Sequence, residues 1–135
     1  MGKARIAREG ADVTIVAHQK SYWRALEAAD QLAEAGYDAE IIDPRTIRPL
    51  DIGTIAASVK KTNRLVVVDE SNPFASFSSE VACQIQERVF DWLDAPVMRV
   101  TAKDVPAPYA KNLIEYYMPR TEEIVAAAKK VLYAN

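Results

Sequence analysis

The sequence predicts a three-layer α/β/α domain around a mixed, mostly parallel sheet. Three observations carry this reading. Short apolar runs rich in β-branched residues alternate along the chain with segments of helical periodicity. One run, Leu65-Val66-Val67-Val68, has no polar alternation, the pattern of a strand covered on both faces. The stretches between runs are long enough for the crossovers that parallel strands need, and helices fill them. At 135 residues, half of them hydrophobic, the chain is one domain with a sizeable core. It has no internal repeat, no low-complexity segment and no dividing linker.

In chain order, Arg5-Ile6-Ala7-Arg8 reads as a short edge strand and Val13–Ala17 as a first core strand. Ser21 offers an N-cap hydroxyl to a helix whose inner face is Tyr22, Ala25, Leu26, Ala29, Leu32 and Ala33. Gly36 suits the left-handed position that stops it. Ala39–Asp43 is the next strand, ended by Pro44. Asp51 caps a second helix that turns Ile52, Ile55, Ala56 and Val59 inward, with Lys60 and Lys61 favourably placed at its negative end. After Leu65–Val68, Ser78 or Ser79 opens a third helix through Val81, Ala82, Ile85, Val89 and Leu93. Val97–Val100 is the last strand. Pro106, Pro108 and Pro119 punctuate an irregular stretch, and a final helix runs from about Thr121 to Tyr133.

Composition excludes several classes. Seventeen Lys and Arg against nineteen Asp and Glu leave a net charge of −2, too weak a field for binding nucleic acid through its phosphates. No stretch approaches the roughly 20 apolar residues of a membrane span. The amino terminus lacks the apolar core of a signal peptide. Cys83 is the only cysteine, so there is no internal disulfide and no cysteine-based zinc site. The chain reads as soluble and intracellular.

Ligands of open α/β sheets lie beyond the carboxyl ends of the strands. His18 with Lys20, Asp43 with Arg45, and Asp69 with Glu70 fall there, and His18 is the obvious acid–base candidate among them. Such residues serve either as acid–base groups or as helix caps and solvated strand ends. Neither a G-x-G-x-x-G nor a G-x-x-x-x-G-K-[ST] motif is present. Asp69 and Glu70 are two adjacent carboxylates without a third metal ligand, and Cys83 has no nearby histidine. Two surface features remain: Phe90-Asp91-Trp92-Leu93-Asp94-Ala95-Pro96, and Tyr116-Tyr117 before Met118-Pro119. Aromatics beside charge mark protein interfaces or close the edge of a core.

Several segments together resemble the carboxyl-terminal domain of the beta subunit of thiamine-dependent 2-oxoacid dehydrogenases. Gly2-Lys3-Ala4-Arg5…Arg8-Glu9-Gly10-Ala11-Asp12-Val13 matches the opening of that domain. Ile42-Asp43-Pro44-Arg45-Thr46-Ile47-Arg48-Pro49-Leu50-Asp51 matches its I-D-x-R-T-x-x-P-L-D. The likeness continues through Val59–Val68, Leu93-Asp94-Ala95-Pro96 and Asp104-Val105-Pro106-Ala107-Pro108-Tyr109-Ala110. The ending Ala127–Tyr133 is most similar to the pyruvate enzymes, with branched-chain and acetoin enzymes as alternatives. One loop departs. Where the family has roughly E-G-x-P-x-x-G-x-G-x-E, this chain has Glu70-Ser71-Asn72-Pro73-Phe74-Ala75-Ser76-Phe77-Ser78-Ser79-Glu80, without glycine.

The resemblance implies a transketolase carboxyl-terminal fold of five strands, one edge strand antiparallel. It implies a single domain over 1–135, an excised piece with an added Met1, lacking the amino-terminal thiamine-binding half. In the parent enzyme, thiamine diphosphate and Mg would sit between the alpha subunit and that half, so no catalytic, cofactor or metal residue is expected here. The isolated chain should be inactive and should self-associate. Expected partners are the alpha subunit, the beta amino-terminal domain and the subunit-binding domain of the dihydrolipoyl acyltransferase. The docking residues carried over are Asp94, with Trp92 and Leu93 shielding it, and the chain end at Tyr133, Ala134 and Asn135. The implied location is the cytoplasm, or the mitochondrial matrix in a eukaryote. A free-standing small-ligand enzyme using His18, Asp43 and Glu70 is the rival reading.

Overall fold

The computed structural model describes residues 1–134. Five strands, β1 (Arg5–Arg8), β2 (Val13–Ala17), β3 (Ala39–Asp43), β4 (Leu65–Asp69) and β5 (Met98–Thr101), form one sheet in the order β1-β3-β2-β4-β5. β3, β2, β4 and β5 are parallel and β1 is antiparallel at the edge. The helices are α1 (Lys20–Glu34), α2 (Ile52–Thr62), α3 (Phe77–Val89), α4 (Lys111–Tyr117) and α5 (Thr121–Val131), with a 3-10 turn at Phe90–Trp92.

Alternation along the strands divides the core in two. Ile15, Ile41, Val66, Val68 and Val100 pack under α1 and α5, while Val16, Ile42, Leu65 and Val67 pack under α2 and α3. Each fully buried aliphatic side chain contributes roughly 1.5–3 kcal/mol. Strands apolar on both faces leave register weakly specified by hydrophobicity. Buried polar residues supply what is missing. Thr14 and Glu40 are register partners on β2 and β3. Thr14 Oγ1 meets Ser58 Oγ at 2.6 Å and Thr62 Oγ1 at 2.7 Å. Glu40 accepts from Ser58, Lys61 and the Gly10 N–H. This register gives α2's buried Ser58 and Thr62 hydroxyls their partners.

The structure corrects several local expectations. Ser21 does not cap α1. The cap position is Gln19, and the Ser21 N–H and hydroxyl both donate to Glu70 Oε1 at 2.8 and 3.2 Å. Ala33 is exposed, and Ala28 takes the buried place on that face. α3 starts at Phe77, capped by Ser76, whose hydroxyl accepts the Ser79 N–H. The stretch read as irregular contains α4, and α5 ends at Val131 rather than Tyr133. Asp51 caps α2 as expected, accepting the Thr54 N–H, and its second oxygen accepts the Ala4 N–H leading into β1.

The glycine-free loop closes without glycine conformations at the three substituted positions. Ser71 donates through N–H and hydroxyl to Asp69, Ser76 caps α3, and the buried Ser78 donates its N–H to Asp69. The left-handed residue in this loop is Ala75, at φ 51°.

Candidate functional site

The residues expected to dock a partner gather at the amino edge of the sheet, where β4 and β5 begin. α2 ends on Asn63, which adopts the left-handed conformation (φ 64°) and pins the acidic turn from both sides. Its carbonyl accepts the Asp94 N–H at 2.9 Å and its side-chain amide donates to the Trp92 carbonyl at 2.8 Å. The chain end reaches the same turn, because the Tyr133 hydroxyl lies 3.4 Å from the Asp94 carbonyl. Ala134 is tied back to α5 through its N–H to Lys129. Asn135 lies outside the described residues.

Two cations that sequence reasoning did not place complete this surface. Arg64 Nη2 stands 3.9 Å from Asp94 Oδ2, and its Nε donates to the Val131 carbonyl at the end of α5 at 3.1 Å. Lys60 Nζ lies 5.6 Å from the centre of the Trp92 ring. The Asp94 carboxylate is therefore answered within the chain, loosely, and stays 58% exposed. The expected shielding is half met. Trp92 faces solvent, 48% exposed, whereas Leu93 turns away and packs against the α2–α3 core. A sequence signal for Arg64 existed only as a basic residue before a buried strand, and nothing local ties it to Asp94. In chemical terms the surface offers an exposed carboxylate beside an indole and a chain end.

The opposite, carboxyl edge holds His18, Asp43, Asp69 and Glu70; the three carboxylates have structural work, and the buried His18 Nε2 has no hydrogen-bond partner among the described residues. Asp69 is 2% exposed and accepts from Ser71 N–H (3.0 Å), Ser71 hydroxyl (2.7 Å) and Ser78 N–H (2.8 Å). Burial acts to raise its pKa. The neighbouring His18 side chain and the Ser71 and Ser78 donors outweigh burial and hold the carboxyl well below the usual carboxylate range. His18 Nε2 is 3.7 Å from Asp69 Oδ1, beyond hydrogen-bond length, and the ring meets Phe77 edge-on at 5.0 Å. Glu70 supplies the negative charge that the start of α1 favours. Asp43 accepts the Arg45 N–H at 2.9 Å. Cys83 is exposed and touches only Glu87, at 3.8 Å.

The residues present do not fit a magnesium–diphosphate group. Among the described residues no three His, Cys, Asp or Glu side chains converge as metal ligands. Of the carboxylates at the strand ends, Asp69 is already engaged on both oxygens by serine and backbone donors, and no glycine-rich turn opens there to receive a diphosphate.

The mixed five-stranded sheet with these in-register motifs defines a transketolase carboxyl-terminal domain, and the chain belongs to that family. The family described as "Transketolase, C-terminal domain" matches residues 2–124. Among particular relatives, the chain is 50% identical over 133 residues to the mitochondrial pyruvate dehydrogenase E1 component subunit beta-2 of Oryza sativa subsp. japonica. That match covers 98% of this chain and 35% of the relative. It is 45% identical over 132 residues to the acetoin:2,6-dichlorophenolindophenol oxidoreductase subunit beta of Bacillus subtilis (strain 168), covering 98% of this chain and 39% of the relative. A solved split-gene transketolase, described as an inactive beta4 tetramer, superposes with a TM-score of 0.84 at 30% identity, over 98% of this chain and 42% of that one. The chain thus spans about a third of the length of its pyruvate dehydrogenase relative. None of the described helices is long and apolar enough to cross a membrane.

Proposed function

We propose that this domain is the assembly and docking module of the beta subunit of a pyruvate dehydrogenase decarboxylating component. The observation that carries the reading is 50% identity along 98% of the chain with a subunit of that name. The parent enzyme would decarboxylate pyruvate with thiamine diphosphate and Mg held elsewhere, between the alpha subunit and the beta amino-terminal half, and pass the acetyl group to a lipoyl carrier. In that setting the carboxyl edge and the large apolar residues Val105, Tyr109, Leu113 and Tyr116, all more than half exposed, are available for subunit pairing. The isolated chain self-associates as its concentration rises and has no decarboxylase activity. Its location is the cytoplasm of a bacterium or the matrix of a mitochondrion.

The Asp94 turn and the Tyr133 chain end are the docking surface for the acyltransferase's subunit-binding domain. Their adjacency supports the reading, since one arginine-bearing partner reaches both. Titration of a subunit-binding domain into the chain tests it, with saturable one-to-one binding expected. Absence of binding at tens of micromolar, or binding of thiamine diphosphate at micromolar concentration, would overturn the reading. An acetoin-oxidising parent is the second reading, favoured by the 45% identity to the Bacillus subunit. Reconstituting the chain's full-length beta subunit with its alpha subunit and comparing pyruvate with acetoin separates the two.

A further inference from the structure

Strand β5 is a sheet edge that lacks the features guarding the opposite edge, β1. Among the described residues β5 pairs only with β4. The Ala102 N–H turns toward β4, to the Ser71 carbonyl at 3.1 Å, and the Lys103 N–H turns the other way, to the Tyr117 carbonyl at 3.0 Å. Backbone groups alternate sides along a parallel strand, so Met98 and Val100 bond to β4 while Arg99 and Thr101 turn N–H and C=O outward. At the other edge, β1 shifts register between Ile6 and Arg8 and carries Arg5 and Arg8, devices that discourage strand addition. β5 keeps a regular register and has no proline. Its one charge, Arg99, is folded down onto the Pro73 carbonyl (2.7 Å) and the Ser79 hydroxyl (2.8 Å).

Beside this edge runs a groove of about 510 Å³, bordered by β5 and the following residues to Asp104 and by Ala126 and Ala127 of α5. The Lys103–Glu123 pair sets the start of α5 beside the end of β5, so Lys130 lies toward the start of β5. Among the described residues neither Asp104 nor Lys130 has an ion-pair partner. The groove is bipolar, with a free carboxylate at one end and a free ammonium at the other. A second copy related by a two-fold axis presents the same groove reversed, which brings each Lys130 toward an Asp104.

We propose that β5 pairs antiparallel with β5 of a second copy of this chain, joining the two sheets into one. The inference rests on the assembly role proposed above and names the surface that performs it. In the register that uses the outward groups, Arg99 faces Thr101 of the partner and Val100 faces Val100 across the axis.

Sedimentation velocity across a concentration series tests the pairing, with Thr101→Pro and Thr101→Val against wild type. Thr101→Pro removes an outward N–H that β4 does not use, the position where a strand tolerates proline. The expected result is a reversible dimer, unchanged in Thr101→Val and at least tenfold weaker in Thr101→Pro, with the melting temperature of the monomer kept. A second readout is oxidation of Val100→Cys in a Cys83→Ser background. Val100 and its symmetry mate form a non-hydrogen-bonded pair with Cα atoms about 4.5 Å apart, inside disulfide range, so a cross-linked dimer is expected. If Thr101→Pro does not fold, the cross-link decides. Undiminished association of folded Thr101→Pro, or no cross-link in a Val100→Cys chain that still dimerises, overturns the β5 pairing and leaves the assembly role standing. A wild-type chain that stays monomeric throughout overturns both.

Discussion

Replacing Glu40 by alanine should be among the most damaging single changes in the domain. Glu40 is 1% exposed at the second position of β3. Its Oε1 accepts the buried Gly10 N–H at 3.2 Å and the Lys61 ammonium, and its Oε2 accepts the Ser58 hydroxyl. Ser58 keeps Thr14 as a partner after the substitution, and Lys61, 45% exposed, can turn to water. The Gly10 N–H cannot. A buried donor without an acceptor costs about 1–3 kcal/mol, and the lost methylene adds about 0.8 kcal/mol. The sum is about 2–4 kcal/mol, which for a domain of this size lowers the melting temperature by about 5 °C or more. Glu40→Gln keeps an acceptor for Gly10 and should lose less than half as much. Thermal unfolding of both variants at neutral pH measures this. A Glu40→Ala melting temperature within about 2 °C of wild type would refute the reasoning, because it would mean the network holds nothing.

Acid should expose the same group. Burial works to raise the Glu40 pKa, but hydrogen bonds from Lys61, Ser58 and Gly10 bring it below the ordinary 4.5. Its contribution is therefore complete above that value and is lost as pH falls through the lower folded value, so wild type should progressively lose its advantage over Glu40→Ala as pH drops below 4.5 in thermal scans. Gly10→Ala should unfold the β2–β3 junction, since a Cβ there would stand 2.3 Å from the Ala39 carbonyl carbon and 2.4 Å from the Glu40 nitrogen; expression as a cooperatively melting domain would contradict this. Glu70→Ala should cost about 1 kcal/mol by uncapping α1, read as a small drop in melting temperature that is absent if Ser21 finds another acceptor.

The sheet and its helices were legible because they follow from local pattern. Leu65–Val68 could be nothing but a doubly covered strand, and Asp51 sits where an N-cap must sit. α4 was not legible, because none of its residues is buried and three prolines surround it, so no apolar period marks it. The cap of α1 was misread for a different reason. Glu70 reaches Ser21 from the end of β4, 49 residues away, and no spacing rule connects them. The proposed docking surface was half legible. Asp94 and the chain end came from motif resemblance, Trp92 from its place beside charge in an aromatic turn, and the fold brings Tyr133 to Asp94. Arg64, beside Asp94 across the β4–β5 junction, is a tertiary neighbour that only the sheet order reveals.

Docking is the central claim, and affinity for the subunit-binding domain of a dihydrolipoyl acyltransferase tests it most directly. Wild type, Asp94→Ala and a chain truncated after Leu132 should be titrated side by side, with melting temperatures taken on the same samples. Docking that desolvates the Asp94 carboxylate predicts a loss of about 2–5 kcal/mol for Asp94→Ala, mostly through faster dissociation. It also predicts weaker binding by the truncated chain and little change in melting temperature for either. Unchanged affinity for both variants, with a lowered melting temperature for Asp94→Ala, would contradict the account and leave Asp94 as a residue that shapes the turn before Pro96.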